Sequence, residues 1–332
     1  MTAWPFVSVV IPTHNRLPQL RECLAALTAQ TYPCDLLEVI VVADGCTDGT
    51  AQRLRVDGYP FTLHVLSQPR SGAAAARNHG AEEAVGTLLL FIDDDVIAST
   101  GLVAAHVRVH GGRTDSVAIG PYRLARPRKD DFYGHILYTF WERTFGEMGG
   151  YELLQEPRYV LSGNLSVSRS TFNRAGGFNT SFPASGVEDY EFGIRILEQA
   201  IPVVFAADAH ARHLDTTTLA QSFRRARQEG SSHTFLARLH PSQAARLPLA
   251  RRDFVGRIFV FAAPPLGLWL TIIGDVALRV SEALRLRALY ETVYGGLRRY
   301  RYWQGVADAV GDRAALDRLI SELTVAERKF AG

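Results

Sequence analysis

The chain has 332 residues, of which 47% are hydrophobic and 21% charged, a composition typical of globular proteins and unlike that of disordered or collagen-like chains. Its 36 basic and 34 acidic residues leave a net charge of +2, so we expect no nucleic-acid partner. All but two of the basic residues are arginine, which suits bidentate contacts with phosphate and carboxylate.

The cysteines and the first residues indicate the compartment. Cys23, Cys34 and Cys46 lack the C-x-x-C spacing of a zinc site and form no disulfide pattern. The segment Met1–Phe6 has no basic region, and the apolar run that follows is too short for a signal peptide. We therefore expect a cytoplasmic protein.

Short apolar runs alternate with helical patterns through the first hundred residues. Strands are predicted over residues 6–11, 38–43, 61–66 and 87–92, each ended by turn-forming or polar residues. Leu20, Leu24 and Leu27 repeat with the period of a helix, and further helices are predicted over residues 50–54 and 73–85. This order predicts an α/β fold with a mainly parallel central sheet flanked by helices.

Polar residues follow three of these strands at the point where each ends. Thr13 and Asn15 follow the first strand, Asp44 follows the second, and Asp93-Asp94-Asp95 follows the fourth. Because ligands bind beyond the carboxyl ends of parallel strands, this clustering predicts a site at that edge of the sheet.

Three successive carboxylates repel one another when they are partly buried, so Asp93–Asp95 needs protons or a cation to neutralise it. Carboxylate oxygens suit Mg²⁺ or Mn²⁺, which also bind substrate phosphates. The alternative is a solvated acidic turn that caps the next segment.

Three further candidates each have a structural alternative. Glu188 and Asp189 open a predicted helix, where Ser185 and Glu188 match a capping box, whereas Asp189 is not needed for that cap and could act as a general base. His213 is either a metal or phosphate ligand or an ordinary hydrogen-bonded histidine. Arg77 either contacts a diphosphate or lies on a solvated helix face.

The character of the chain changes near residue 250, where we predict a boundary. Residues 258–274 carry no charge, contain Pro264-Pro265, and are too few for a simple membrane span. Arginines and aromatic residues are mixed through 255–303, a composition suited to contact with an anionic membrane surface. A helical subdomain or a homodimer contact is the alternative.

Seven segments, in order and at characteristic spacing, resemble family 2 glycosyltransferases, an inverting family with the GT-A nucleotide-sugar-binding fold. They are Val9–Arg16, Val41–Thr50, Ala75–Gly80, Leu90–Val96, Ser162–Val167, Gly176–Phe178 and Glu188–Glu191. The resemblance covers about residues 6–235. It implies a catalytic domain over 1–250, with nucleotide-sugar binding in about 1–120 and the acceptor side in about 121–250, and a helical extension over 251–332.

The resemblance also implies roles for individual residues. Donor and substrate contacts fall on Pro12, Thr13, Asn15, Arg16, Asp44, Arg77, Asp93, Asp94, Gly163 and Asn164. Asp95 and His213 would bind Mg²⁺ or Mn²⁺. Asp189 would be the catalytic base, with Glu188 beside it.

We therefore expect metal-dependent, inverting transfer of a sugar from a nucleotide-diphosphate sugar, UDP-linked in the first instance, to a hydroxyl of a carbohydrate, lipid-linked or protein acceptor. A cell-envelope polysaccharide is one such product, and attachment to the inner face of the membrane would suit a lipid-linked acceptor. The alternative is a catalytically silent nucleotide-sugar-binding or scaffold protein. A dehydrogenase is disfavoured because no G-x-G-x-x-G follows the first strand.

Overall fold

The computed structural model of the protein describes residues 4–111, 115–182, 186–250, 264–312, 314–319 and 321. The described residues divide into two compact units. The first lies within 1–126, 137–180 and 188–215, and the second within 127–136, 181–187 and 216–332. The last boundary between the two units follows residue 215. The predicted functional boundary near residue 250 is a separate matter and stays a prediction.

The strands and helices alternate, as expected, through the first hundred residues. The described strands are β1 Val7–Thr13, β2 Leu37–Asp44, β3 Thr62–Gln68, β4 Leu88–Ile92, β5 Val96–Ala98, β6 Val117–Ile119, β7 Tyr122–Leu124, β8 Asn164–Ser168, β9 Val203–Phe205 and β10 Ala211–His213. The described α-helices are α1 Leu17–Thr28, α2 Thr50–Leu54, α3 Ala73–Glu83, α4 Leu102–His110, α5 Phe132–Met148, α6 Arg169–Arg174, α7 Glu188–Glu198, α8 Leu219–Leu239, α9 Pro264–Ala283 and α10 Arg287–Val310.

The main sheet lies in the first unit. Among the described residues it has seven strands in the order β3-β2-β1-β4-β8-β6-β9. The first four strands of the chain run parallel, whereas β8 is antiparallel to both of its neighbours. Every residue of β1, β2 and β4 is buried, as in a sheet covered on both faces. The predicted α/β fold with a mainly parallel sheet is confirmed.

The first strand continues through Pro12, where the sequence predicted its end. Proline lacks the amide hydrogen that a central strand needs on one of its edges. Here β1 pairs with β4 only as far as Val10, whereas its pairing with β2 continues to Thr13. Pro12 therefore lies where only one edge is paired, and the strand can carry Thr13 to the rim of the sheet.

A second, smaller sheet was not predicted. Within the described residues it consists of β5, β10 and β7, with β10 in the middle, antiparallel to β5 and parallel to β7. Each strand has three residues, too few to show a period in the sequence. The polar and basic composition of residues 123–131 is typical of a loop, but Arg123 and Leu124 belong to β7.

The second unit contains the predicted helical extension, and α9 and α10 confirm its helical character. Helices α8 and α10 pack backbone to backbone, since a Cβ at Gly305 would overlap the Arg227 carbonyl. Pro264 and Pro265 begin α9, a position that proline favours, rather than interrupting it. Across the described residues, the helices are all too short or too polar to span a bilayer.

Candidate active site at the rim of the sheet

Asp94 lies at the rim of the main sheet, two residues beyond the end of β4. Its side chain is buried, and its Oδ2 accepts a hydrogen bond of 2.7 Å from Oγ1 of Thr13. Its Oδ1 accepts a second hydrogen bond, of 3.0 Å, from Nη1 of Arg16. Burial raises the pKa of Asp94 to about 7, although Arg16 and Thr13 act in the opposite direction. The structure thus brings together three residues predicted to contact the donor.

Asp95 lies between the guanidinium group of Arg16 and the imidazole ring of His213. Its Oδ2 accepts a hydrogen bond of 2.7 Å from Nη2 of Arg16, and its Oδ1 lies 3.4 Å from Nε2 of His213. Burial disfavours the charge of Asp95, but His213 and Arg16 outweigh burial and lower its pKa to about 2. Burial likewise lowers the pKa of His213, but Asp95 outweighs it and the net shift is upward.

The small sheet explains why Asp95 and His213 meet. In the antiparallel pairing of β10 with β5, His213 lies opposite Val96, the residue that follows Asp95. The ring of His213 packs against two aromatic side chains, with centroid distances of 5.4 Å to Tyr122 and 5.9 Å to Trp141. The acceptor side was predicted over about 121–250, but Tyr122 and Trp141 were not singled out within it. No local pattern could have joined them, because Tyr122 lies on β7 and Trp141 on α5.

Arg77 on α3 is a buried cation, only 4% exposed. Its Nη2 donates to Oδ1 of Asp93 at 2.7 Å and its Nη1 to Oε1 of Glu188 at 3.3 Å. Burial opposes its charge, but the two carboxylates outweigh burial and raise the pKa of Arg77. The alternative that Arg77 lies on a solvated helix face is therefore wrong. Its ion pairs join α3, the segment Asp93–Asp95 and α7.

Asp189 is the second residue of α7 and lies half-buried beside this ion-pair network. The amide of Tyr190 donates to its Oδ1 at 2.8 Å. Burial, reinforced by the charge of Glu188, raises the pKa of Asp189 well above that of an ordinary aspartate, against the opposing effect of Arg77. The predicted capping residue Ser185 lies outside the described residues.

Asp44 ends β2 and holds the loop that leads into α3. Its Oδ1 accepts hydrogen bonds from the amide of Ser71 at 2.7 Å and from Nε2 of Gln68 at 2.9 Å, and its Oδ2 accepts one from the amide of Gly72 at 2.9 Å. Its predicted contact with the nucleoside stays a prediction. Any such contact has to share a carboxylate that already shapes the loop.

Asn15 organises the turn after β1. It adopts a left-handed conformation with a φ of 52°, which asparagine tolerates better than most residues. Its Oδ1 accepts hydrogen bonds from the amides of Thr47 at 2.7 Å and Asp48 at 3.2 Å. Its predicted donor contact is untested, and the oxygen of its side chain is engaged within the protein.

The segment Gly163-Asn164 lies against Asp93, whose amide donates a hydrogen bond to the Gly163 carbonyl. A Cβ at Gly163 would lie 2.9 Å from Oδ2 of Asp93 and 3.1 Å from Cζ of Tyr122, so the close approach requires glycine. The side chain of Asn164 is fully buried. The predicted substrate contacts of Gly163, Asn164 and Pro12 stay predictions, and Pro12, like Asn164, is buried.

Asn164 begins a chain of buried hydrogen bonds that the sequence analysis missed. Because its Nδ2 donates to the Ala209 carbonyl at 2.9 Å, its Oδ1 is the acceptor that faces Nε2 of His106 at 2.9 Å. Nδ1 of His106 then accepts from Oγ of Ser166 at 2.8 Å, and that oxygen accepts from Nε2 of His110 at 2.8 Å. Burial lowers the pKa of both histidines to about 4, so both rings are neutral at pH 7.

This chain of bonds ties β8 to the segment that leads into β10, the strand of His213. His106 and His110 lie one turn apart on α4, on a face that meets β8. The i, i+4 spacing of two histidines in a mostly apolar helix is the signal that could have indicated a shared polar network.

The sequence profile of the family described as Glycosyl transferase family 2 matches residues 8–176, which is half of the chain. The chain belongs to glycosyl transferase family 2. The seven segments quoted above are the residues that carried this resemblance, and most of them fall within the matched region.

Two relatives of this family 2 protein illustrate the likeness in sequence. Validoxylamine A glucosyltransferase from Streptomyces hygroscopicus subsp. jinggangensis is 29% identical over 229 residues, covering 62% of this chain and 54% of the relative. Glucosyl-dolichyl phosphate glucuronosyltransferase from Haloferax volcanii is 30% identical over 222 residues, covering 62% of this chain and 68% of the relative. The chain thus spans about half the length of the first of these relatives and two thirds of the second.

Solved structures show the likeness in fold. The mannosyltransferase PcManGT from Pyrobaculum calidifontis, in complex with GDP-Man and Mn²⁺, aligns with a TM-score of 0.60 at 22% identity and covers 92% of this chain and 87% of its own. TarS 1-349 from S. aureus, in complex with UDP, aligns with a TM-score of 0.52 at 19% identity, covering 90% of each chain. These likenesses confirm the expected GT-A fold of this family 2 protein.

A divalent cation fits the donor chemistry of Asp95 and His213 in this family 2 protein. Nε2 of His213 lies 3.4 Å from Oδ1 of Asp95, a separation that two ligands of one divalent cation can have. The described part of the chain contains no group of three or more histidine, cysteine, aspartate or glutamate side chains arranged to hold a metal. A cation at Asp95 and His213 would therefore need oxygen ligands from substrate and water, a mode of binding that Mg²⁺ favours.

Proposed function

We propose that this family 2 protein is a divalent-metal-dependent glycosyltransferase that moves a sugar, with inversion, from a nucleoside-diphosphate sugar to a hydroxyl group. The observation that carries the proposal is the contrast between two carboxyl groups, Asp95 and Asp189, on two segments that the ion pairs of Arg77 with Asp93 and Glu188 hold together. The pKa of Asp95 is lowered to about 2 beside His213 and Arg16, whereas that of Asp189 is raised beside Glu188. Carboxyl groups whose environments drive their pKa values apart are suited to different tasks.

The donor occupies the rim formed by β1, β2 and β4 in this proposal. Thr13 and Asp44 contact the nucleoside, Asp94 faces the ribose, and Arg77 keeps Asp93 and Glu188 in place by its two ion pairs. Asp95 and His213 would hold Mg²⁺ or Mn²⁺, which would supply Lewis-acid stabilisation of the departing diphosphate. A UDP-sugar is the donor that we expect first.

Asp189 acts as the general base. Its raised pKa gives the carboxylate more affinity for a proton than an ordinary aspartate has, which suits removal of the proton from an acceptor hydroxyl. As that proton moves to Asp189, the acceptor oxygen bonds to the anomeric carbon and the bond from that carbon to the diphosphate oxygen breaks on the opposite face. One displacement inverts the anomeric centre.

A lipid-linked acceptor is our first choice, with carbohydrate and protein hydroxyls as alternatives. One relative is named as a transferase acting on glucosyl-dolichyl phosphate, a lipid-linked sugar. The residues that select the acceptor would include Tyr122 and Trp141, whose rings pack against His213.

A donor screen tests the proposal. The full chain is incubated with Mn²⁺ and UDP-, GDP- or dTDP-sugars, and the melting temperature and the release of nucleoside diphosphate are measured. We expect one donor class to stabilise the protein only with metal, to be slowly hydrolysed, and, once an acceptor is found, to give a product of inverted anomeric configuration by NMR. Stabilisation without any turnover would favour the silent nucleotide-sugar-binding protein, and no stabilisation at all would contradict the proposal.

We also propose that α9 rests on an anionic membrane surface. One face of the helix packs on α10, where a Cβ at Gly274 would meet the side chain of Leu297 and where Leu278 is buried. The opposite face is apolar and exposed, with helical spacing, over Trp269, Ile273, Val276, Val280 and Leu284. Exposed arginines at 279, 285 and 287 accompany it, a combination that favours anionic lipid. Residues 255–263 of the predicted contact segment lie outside the described residues.

Sedimentation with vesicles tests this contact. We expect the protein to bind vesicles of phosphatidylcholine and phosphatidylserine at low salt, and the double variant Trp269→Ser, Ile273→Ser to lose most of that binding. Val56→Ser is the control, since Val56 is an exposed apolar residue of the first unit. Failure of the wild type to bind, or equal binding by the double variant, would refute the proposal, and a change from dimer to monomer in the double variant would assign the face to a second copy.

A further inference from the structure

Arg16 pairs with two carboxyl groups, Asp94 and Asp95, which the proposed function assigns to the substrate and the metal. Its Nη1 lies 3.0 Å from Oδ1 of Asp94 and its Nη2 lies 2.7 Å from Oδ2 of Asp95. The side chain of Arg16 is 32% exposed, against 6% and 8% for the two aspartates. One guanidinium group, open to solvent, therefore contacts both buried carboxyl groups, and His213 faces Asp95 as well.

A metal ion at Asp95 would compete with this guanidinium. Both cations draw on the same carboxylate, and two positive charges within a few ångströms of each other repel strongly in a partly buried site. The repulsion disappears if an anion arrives with the metal and Arg16 turns to that anion. A diphosphate is such an anion, and its oxygens match the planar donors of arginine.

The position of Arg16 in the chain permits such an exchange. It is the residue that precedes α1, with non-helical backbone angles, and its side chain caps no amide of the helix. Moving this side chain therefore breaks its contacts with Asp94 and Asp95 but leaves the hydrogen bonds of α1 intact. The described contacts of its guanidinium group are those to Asp94 and Asp95.

We propose that Arg16 is an exchangeable counter-ion, which holds Asp94 and Asp95 in the empty site and moves to the donor diphosphate when metal and nucleotide bind together. This inference rests on the proposed function. It makes metal and nucleotide binding mutually dependent: the protein alone binds metal weakly because Arg16 occupies its ligand, and the nucleotide relieves that competition. Coupling between two ligands is reciprocal, so the nucleotide must also bind better when metal is present.

Titration of Mn²⁺, followed by the electron paramagnetic resonance signal of the free ion, tests the exchange in the full chain. We expect Arg16→Gln to bind Mn²⁺ alone about 5- to 100-fold more tightly than the wild type and to bind UDP or GDP with Mn²⁺ more weakly, so that the coupling between the two ligands shrinks. Arg16→Lys keeps the charge but loses the two-pronged contact, and it should lie between the two. Arg21→Gln is the matched control, because Arg21 lies on α1 and pairs at the surface with Asp57.

The outcomes separate this inference from the proposed function. If the wild type binds Mn²⁺ with nucleotide but Arg16→Gln and Arg16→Lys leave the affinity for Mn²⁺ alone unchanged, the exchange is refuted while the metal-dependent site stands. If the wild type binds no Mn²⁺ with UDP, GDP or dTDP, both fail. Since Arg16→Lys retains a cation over the buried aspartates, it provides the comparison if Arg16→Gln does not fold.

Discussion

Acid should destabilise the folded protein through the buried pair His106 and His110. An ordinary histidine has a pKa of 6.5, and burial lowers the pKa of each of these two to about 4. The unfolded chain therefore takes up protons first as the pH falls, so the stability that these rings contribute is full above pH 6.5 and is lost between pH 6.5 and pH 4. Each ring accounts for a loss of about 2 kcal/mol in the free energy of unfolding between pH 7 and pH 5.

Other groups oppose this loss over the same range. The pKa of Asp94 is raised to about 7, and that of Asp189 is also raised, so the folded state takes up protons at these carboxyl groups while the unfolded state does not. Their protonation stabilises the folded state as the pH falls. The total pH dependence is thus a sum of opposing contributions, and only a comparison of variants isolates the histidines.

His106→Gln provides that comparison. A glutamine amide can donate to Asn164 and accept from Ser166, as the neutral ring does, but it has no proton to gain. Urea unfolding at pH 7 and pH 5 should show that this variant loses about 2 kcal/mol less than the wild type on acidification. His210→Gln, at an exposed position, should lose as much as the wild type. Equal losses in wild type and His106→Gln would refute the assignment of a neutral, buried ring.

Four further substitutions test the site and the packing. Asp189→Asn should lower transfer by about 10²- to 10⁴-fold and leave nucleotide affinity unchanged, and near-normal turnover would exclude Asp189 as the base. Asp95→Ala should abolish the part of UDP binding that depends on Mn²⁺, as measured by calorimetry with and without metal, and unchanged binding would contradict its role as a ligand. Gly305→Ala should cost about 1–3 kcal/mol of stability, because its methyl group would overlap the Arg227 carbonyl of α8. Gly296→Ala, on the same helix with open space around it, should stabilise the protein by about 0.5–1 kcal/mol, and a similar cost at both positions would contradict the packing described.

The sequence predicted the part of the fold that local patterns determine. An apolar run such as Leu88–Ile92 is buried whichever strands lie next to it. Turn-forming residues, such as those around Gly49, mark where one element ends and the next begins. The order of strands and helices in the first hundred residues was therefore predictable. The antiparallel direction of β8 was not predictable, because nothing in the sequence of this strand distinguishes it from a parallel one. The three-residue strands β5, β7 and β10 were also beyond prediction.

The residues of the candidate site likewise divide into those that local sequence patterns predict and those that they do not. Residues that directly follow predicted strands, Thr13, Asp94 and Asp95, were found because chain position fixes their place at the rim. The pairing of Arg16 with both aspartates was not predicted, because it depends on side-chain geometry. The meeting of His213 with Asp95 was implied by the family resemblance alone, because it depends on the register of β10 against β5. Such contacts between distant segments carry no local signal.

The most direct measurement is the position of the metal in a crystal of the protein grown with UDP and Mn²⁺, located by anomalous scattering. The account predicts one strong peak in contact with Asp95 and the diphosphate, with the side chain of Asp189 free of the metal. A nucleotide bound with no anomalous peak at Asp95, or a peak held by Asp189 instead, would contradict the assignment of one carboxylate to the metal and another to the acceptor proton.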